Sequence, residues 1–128
     1  FYEVRYDDKA ESELEFCKKM YKNHAINSKN MNTVKSVILD ISGGGIRFSL
    51  STPLEEGTYF MAQFSLALEE CTQQFNIVCK VINCTQSLDY ADRYFARSKF
   101  IFDRMTEREK IVRFVFEEER RIRRREME

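Results

Sequence analysis

The sequence has little of what nucleic-acid-binding, membrane-spanning and metal-binding proteins need. Lys and Arg together number 21, as do Asp and Glu, so the formal net charge is +0. A neutral balance argues against a broad nucleic-acid footprint, and we expect neither DNA nor RNA as a partner. No apolar run approaches the roughly 20 residues that a membrane span requires. The only histidine is His24, and the four cysteines contain no Cys-x-x-Cys pair, so we expect no metal and no other cofactor.

Residues that could form a catalytic centre are also scarce. No Cys/His or paired-carboxylate set has a recognisable spacing, and His24 lies in a polar stretch. We therefore expect a binding or switching module and not an enzyme. Because no signal-peptide pattern is present and the cysteines do not suggest a disulfide framework, we expect a cytoplasmic protein. The sequence begins at Phe1 instead of Met, and we expect it to be part of a longer protein.

Most of the chain shows the alternation of apolar and polar residues that is typical of β-strands. The joining segments are short and polar, and no helical pattern separates the runs, which favours a small antiparallel barrel or sandwich. The interior should hold Phe48, Phe64, Ile77 and Phe100. The apolar run from Val37 to Leu39 predicts a buried strand. Six runs predict strands: Leu14–Met20, Thr33–Ile41, Ile46–Leu50, Phe60–Leu68, Phe75–Ile82 and Tyr94–Phe102.

The end of the chain changes to a helical period. A helix is predicted from about 106 to 126, with Ile111 and Val115 on a broad apolar stripe that packs on the sheet. The whole chain, residues 1–128, is interpreted as one domain, with the strands at about 10–103. The arginine-rich end of the helix is interpreted as a solvated helix end, or as a surface that contacts a partner or a membrane surface.

The segment from Asp40 to Gly45 contains three of the four glycines and connects two predicted strands. As a purely structural element it is a tight turn, in which Asp40 and Ser42 cap backbone amides and the glycines allow positive φ. As a binding element it lets a ligand approach the backbone, and its amides can form an anion-binding concavity. A carboxylate can accept hydrogen bonds from guanine, and a serine can donate to phosphate. The residues alone leave both interpretations open.

The Asp-x-Ser-x-x-Gly pattern of Asp40, Ser42 and Gly45, followed at once by an alternating strand, resembles the second signature of PilZ domains. That family consists of small β-barrels that bind the bacterial messenger cyclic di-GMP. The turn Pro53–Gly57 and the strand Tyr94–Phe102 are similar to later parts of the family pattern. The resemblance implies a mostly β fold, a six-stranded antiparallel PilZ-type barrel with a C-terminal α-helix.

The same resemblance implies a set of ligand-binding residues. Members of the family also have an Arg-x-x-x-Arg motif just before the first strand, which wraps over the ligand. Here Phe1-Tyr2 is followed by Glu3, and Arg5 lies two residues later. Either the arginine motif lies upstream of Phe1 in a shifted register, or this copy of the site is degenerate. The candidate site residues are Asp40, Ser42, Gly43, Gly44 and Gly45, with Arg5 and Arg47 as candidate cations.

The segment Arg108–Phe116 resembles the closing helix of the flagellar-brake subgroup of PilZ proteins. This likeness implies a cyclic di-GMP sensor in bacterial signalling that controls flagellar motility. Its partners would be an upstream β domain of the same protein and flagellar motor proteins. The alternative is an adaptor of the same fold that no longer binds the nucleotide and assembles through the helix stripe or the barrel edge. Glu3 favours this alternative, because a glutamate would repel the ligand.

Overall fold

The computed structural model describes residues 2–4, 17–22, 36–68 and 71–127, and these form a mostly β structure with a C-terminal helix. A first helix, α1, includes residues 17–22. The second, α2, runs from Met105 to Met127, close to the predicted bounds. Among the described residues, no helix has both the length and the apolar character that crossing a membrane would require. The strands are β1 (Tyr2–Val4), β2 (Val37–Ile41), β3 (Gly45–Leu50), β4 (Tyr59–Ala67), β5 (Thr72–Gln86) and β6 (Tyr94–Ile101).

All the strands belong to one antiparallel sheet, in the order β1-β4-β5-β6-β3-β2. The long strand β5, with 15 residues, pairs with β4 through its first part and with β6 through its second part. Within the described residues, β1 and β2 each have one neighbouring strand. The described strands form a curled sheet, or half-barrel, so the predicted mostly β, barrel-like fold with a C-terminal helix is confirmed.

The contact between Phe48 and Phe60 shows how strongly the sheet curls. Phe48 lies on β3 and Phe60 on β4, which are three steps apart in the sheet, roughly 14 Å if the sheet were flat. Their ring centroids are nevertheless 5.4 Å apart. Curling thus creates an inner face whose apolar side chains meet, and Ile111 of α2 joins the same buried cluster.

The predicted interior is largely confirmed. Phe48, Ile77 and Phe100 are buried, whereas Phe64 is half-buried and stacks on Phe75. On α2, Ile111 is fully buried and Val115 is half-buried, so the first half of the helix packs on the sheet as expected. The alternation of apolar residues therefore predicts the inner face of the sheet correctly.

Five of the six predicted strands are present, as β2 to β6, but the strand predicted at Leu14–Met20 is wrong. Residues 17–22 are helical, and the remainder of that run lies outside the described residues. Cys17, Met20 and Tyr21 share one face, because i, i+3 and i+4 positions coincide on a helix. They pack in a second cluster with Tyr59, Met61 and Val78. The sixth strand of the sheet is β1, where the pattern predicts none.

The apolar run at the start of β2 is also placed differently from its prediction. Val37, Ile38 and Leu39 are 60%, 37% and 43% exposed, although the run predicts a buried strand. The reason is topological, because β2 is an edge strand that pairs only with β3 within the described residues. Apolar composition alone does not distinguish an edge strand from a central one.

Candidate ligand-binding site

The turn between β2 and β3 is held by the side chain of Ser42. Its Oγ accepts hydrogen bonds from the backbone N–H of Gly44 at 3.2 Å and of Gly45 at 3.3 Å. The backbone N–H of Ser42 donates to the carbonyl oxygen of Gly45 at 2.9 Å. Serine side chains often organise turns in this way. The structural interpretation of Ser42 therefore applies, whether or not a ligand also contacts its hydroxyl group.

The three glycines of the turn serve different purposes. A Cβ at Gly45 would overlap the carbonyl oxygen of Ser98 on β6, so this residue permits a close approach of two backbones. A Cβ at Gly43 would lie 2.8 Å from Cγ2 of Val112 on α2, so this residue makes room for the helix. Gly44 faces open space, with Oγ of Ser42 the nearest atom at 3.9 Å.

None of these glycines has a φ in the left-handed region, contrary to the sequence prediction. Gly57, in the turn before β4, is the one described residue with such a φ, at +85°. The glycines at 43 and 45 are therefore explained by close packing, and Gly44 stands in open space. A left-handed backbone explains none of the three.

Asp40 and Arg47 face each other across β2 and β3 and form an ion pair. Their residues are direct partners in the strand register, and Nε of Arg47 lies 3.0 Å from Oδ2 of Asp40. The side chain of Asp40 is 63% exposed and that of Arg47 is 53% exposed. An exposed pair of this kind contributes about 0–1 kcal/mol, so a ligand can replace either partner at little cost.

Arg97 on β6 is a further candidate site residue, which the sequence did not indicate. It is the direct partner of Arg47 on one side and of Asn83 on the other, so a row of four side chains crosses β2, β3, β6 and β5. The only signal in the sequence is the position of Arg97 between two small residues of a predicted strand, Ala96 and Ser98. Both of these are buried, so Arg97 lies on the opposite, outer face. Its proximity to Arg47 follows from the register of β3 and β6 and could not be predicted from the sequence.

A groove of about 610 Å³ lies on the outer face of the sheet and is lined by three residues of this row, Asp40, Arg47 and Arg97. Such a volume lies within the range of small-molecule sites. It offers an exposed carboxylate, two guanidinium groups and open backbone at Gly44, a set suited to an anionic ligand with hydrogen-bonding edges. The groove is lined by Asp40, Ser42, Gly44, Gly45, Ile46, Arg47, Ile82, Arg97 and Ser98.

The floor of the groove is fixed by hydrogen bonds within the sheet. Ser98 is buried, and its Oγ donates to the carbonyl oxygen of Ile46 at 3.3 Å. The backbone N–H of Phe100 donates to the carbonyl oxygen of Gly44 at 2.8 Å, which ties the turn to β6. Beneath them, burial raises the pKa of the Cys79 thiol well above its usual range. Cys79 is therefore a neutral residue of the core, where it behaves as a small hydrophobic side chain.

The candidate residues named from the sequence are thus brought together with two exceptions. Asp40, Ser42, Gly44, Gly45 and Arg47 line one groove. Gly43 lies behind it, half-buried against α2, and Arg5 lies outside the described residues.

The chain matches the family model of the PilZ domain over residues 21–117, about three-quarters of its length. It belongs to the PilZ domain family. Searches of curated proteins and of solved structures find no match. PilZ domains are generally receptors for cyclic di-GMP, and their roles are binding and regulation, not catalysis. The matched region includes the groove, both of its arginines and the first part of α2.

Proposed function

We propose that this PilZ domain is a sensor that binds cyclic di-GMP in the groove at the β2–β3 turn. The observation that supports this proposal is the convergence of Asp40, Ser42 and Arg47 on one groove of suitable size. Cyclic di-GMP combines two guanine edges with two phosphates, and the groove offers a carboxylate for the former and guanidinium groups for the latter.

Asp40 is the proposed guanine acceptor. Its carboxylate is largely exposed and, among the described residues, forms an ion pair with the Arg47 guanidinium. Because such a pair is weak, the N1–H and N2–H₂ edge of guanine can take the place of Arg47. Arg47 can then turn its donors to a phosphate, for which its planar fork is well suited.

The turn supplies the close approach that a planar base needs. Gly44 has open space where a side chain would stand, and the hydroxyl group of Ser42 already fixes the turn. A ligand therefore meets a preformed surface, which lowers the ordering cost of binding.

The wider role that we propose is control of flagellar motility in a bacterial cytoplasm. It is supported by the resemblance of Arg108–Phe116 to the closing helix of flagellar-brake proteins. In that role an upstream β domain would hold the arginine motif near its junction with this chain, and flagellar motor proteins would be the target. Ligand closure would change how the PilZ domain sits on these partners.

A second candidate function is that of a protein-interaction adaptor. Val37, Ile38 and Leu39 are exposed on β2, at an edge of the described sheet. Exposed apolar edge strands can pair with an added strand from another chain. This function does not require the nucleotide, and the next experiment separates the two.

The test is an NMR titration of the labelled chain with cyclic di-GMP, with GMP and cyclic di-AMP as controls. We expect weak binding, because the two motif arginines are not in their usual place. Each charge-assisted contact is worth about 1.5–3 kcal/mol, so losing two weakens affinity by roughly two to four decades. The largest chemical-shift changes should occur at residues 40–47 and at Arg97.

Three outcomes decide between the hypotheses. Sub-micromolar binding by this chain alone would show that the arginine motif is not needed. Tighter binding by a longer form that includes upstream residues would place the missing arginines there. No shift at millimolar cyclic di-GMP in either form would reject the sensor and favour the adaptor.

A further inference from the structure

We propose that Arg97 and Arg47 form a two-arginine phosphate clamp on the outer face of the sheet, an inference that rests on the proposed function. Neither residue belongs to the Asp-x-Ser-x-x-Gly pattern. In other family members the Arg-x-x-x-Arg motif supplies positive charge to the ligand. The clamp would supply part of that charge from side chains of the sheet.

The register of β3 and β6 places the two arginines side by side. Arg47 and Arg97 are direct antiparallel partners, and the side chains of such partners start about 4.5–5.5 Å apart at Cβ. Like charges directly opposite each other destabilise a sheet. An anion bound between the two guanidinium groups removes this repulsion, so the arrangement favours phosphate.

The charge of the row is incompletely balanced. Asp40 neutralises Arg47, whereas Arg97 forms no ion pair in the part of the chain that the structure describes. Lys99 lies two residues further on the same face of β6 and is also exposed. Asp40 is the one acidic residue among the described residues that line the groove. The unneutralised charge therefore lies on the β6 side, away from the proposed guanine acceptor.

This division assigns different tasks to the two sides of the groove. Asp40 recognises the base edge and so determines selectivity for guanine. Arg97 contacts a phosphate, which every cyclic dinucleotide has, and so contributes affinity without base selectivity. Its guanidinium can donate two parallel hydrogen bonds to one phosphate, which a lysine ammonium cannot do in the same geometry.

The test compares R97A, R97K and the matched control R124A, whose arginine is exposed near the end of α2, far along the helix from the packed Ile111. We expect R97A to weaken cyclic di-GMP binding roughly 10-fold at low salt, and R97K to fall between R97A and the wild type. R124A, with the same change in net charge, should stay within about twofold. The 10-fold loss should shrink in 0.5 M NaCl, where the screening length is only a few ångström.

A second measurement does not depend on ligand. Because R97A removes one member of a like-charge pair, its melting temperature without ligand should equal or exceed that of the wild type. If the wild type binds cyclic di-GMP and R97A binds it with the same affinity, the clamp is rejected and the sensor proposal remains. An equal loss of affinity in R97A and R124A would also reject the clamp, because the loss would then be an effect of net charge. If the wild type binds neither as this chain nor in the longer form with upstream residues, the sensor proposal itself is rejected.

Discussion

The two faces of β3 and β6 show how the domain separates its fold from its candidate site. On β3, Ile46 and Phe48 are buried on the inner face, and Arg47 between them lies exposed on the outer face. On β6, Ala96 and Ser98 are buried, and Arg97 between them is exposed. Phe48 and Ala96 therefore stabilise the sheet, whereas Arg47 and Arg97 line the groove. The buried residues Ile46 and Ser98 also border the groove. Substitutions at adjacent positions should consequently affect different properties.

The outer face is itself divided into a covered and an open part. Near β4 and β5, Tyr59 and Val78 are buried in the cluster that contains Cys17 and Met20 of α1. Near β3 and β6, no described element covers the same face, which forms the groove. The position of α1 on the sheet thus limits where a ligand can bind.

The largest loss of stability is expected on the inner face. Phe48 is 1% exposed and packs edge-to-face on Phe60, so Phe48→Ala should lower the free energy of unfolding by about 3–5 kcal/mol. Urea denaturation measures this directly. The neighbouring Arg47→Ala, on the outer face, should cost less than about 1 kcal/mol. Similar losses for the two variants would contradict the separation of the faces.

A somewhat smaller loss is expected at the first residue of β3. In Gly45→Ala the new Cβ overlaps the backbone of Ser98, and backbone cannot rotate away as a side chain can. We expect a loss of about 2–4 kcal/mol, through a shift between β3 and β6. Amide hydrogen exchange should show weaker protection at Phe100, whose N–H bonds to Gly44. Unchanged protection and stability would mean that the two strands separate without cost.

Asp40→Ala should separate binding from stability. Removing this exposed carboxylate should cost about 0.5–1.5 kcal/mol of stability, because only a surface ion pair at the end of an edge strand of the described sheet is affected. Losing a charge-assisted bond to guanine should weaken binding by about 1–3 kcal/mol, measured by calorimetry on a form that binds well. If mutant and wild type bind equally, Asp40 is not part of the site.

The sequence predicts the inner face well, because alternation reports directly which residues a half-buried strand turns inwards. It fails where the answer depends on a partner far along the chain. Residues 14–20 show alternation, yet Cys17, Met20 and Tyr21 also fit a helical face, and their packing on Val78 decides between the two. The exposure of Val37 depends on β2 being an edge strand of the sheet that the described residues form.

The candidate site shows the same limit. The motif residues Asp40 and Ser42 could be identified because they lie two positions apart in the sequence and resemble a family pattern. Arg97 could not, because its place beside Arg47 depends on the pairing of β3 with β6. A local motif predicts one side of a groove, whereas the opposite side follows from sheet register.

The smallest effect on stability is expected at Gly44, the one motif glycine with open space around it. Its φ lies outside the left-handed region, and a new Cβ would meet nothing closer than Oγ of Ser42 at 3.9 Å. Gly44→Ala should therefore change the free energy of unfolding by no more than about 0.5 kcal/mol, or raise it slightly by restricting the unfolded chain. The added methyl group would nevertheless stand in the groove, where the proposed ligand approaches the backbone. Cyclic di-GMP binding by the stable variant should weaken, in contrast to Gly45→Ala, where stability and binding fall together. If Gly44→Ala binds as well as the wild type in the NMR titration, the ligand does not approach this side of the turn.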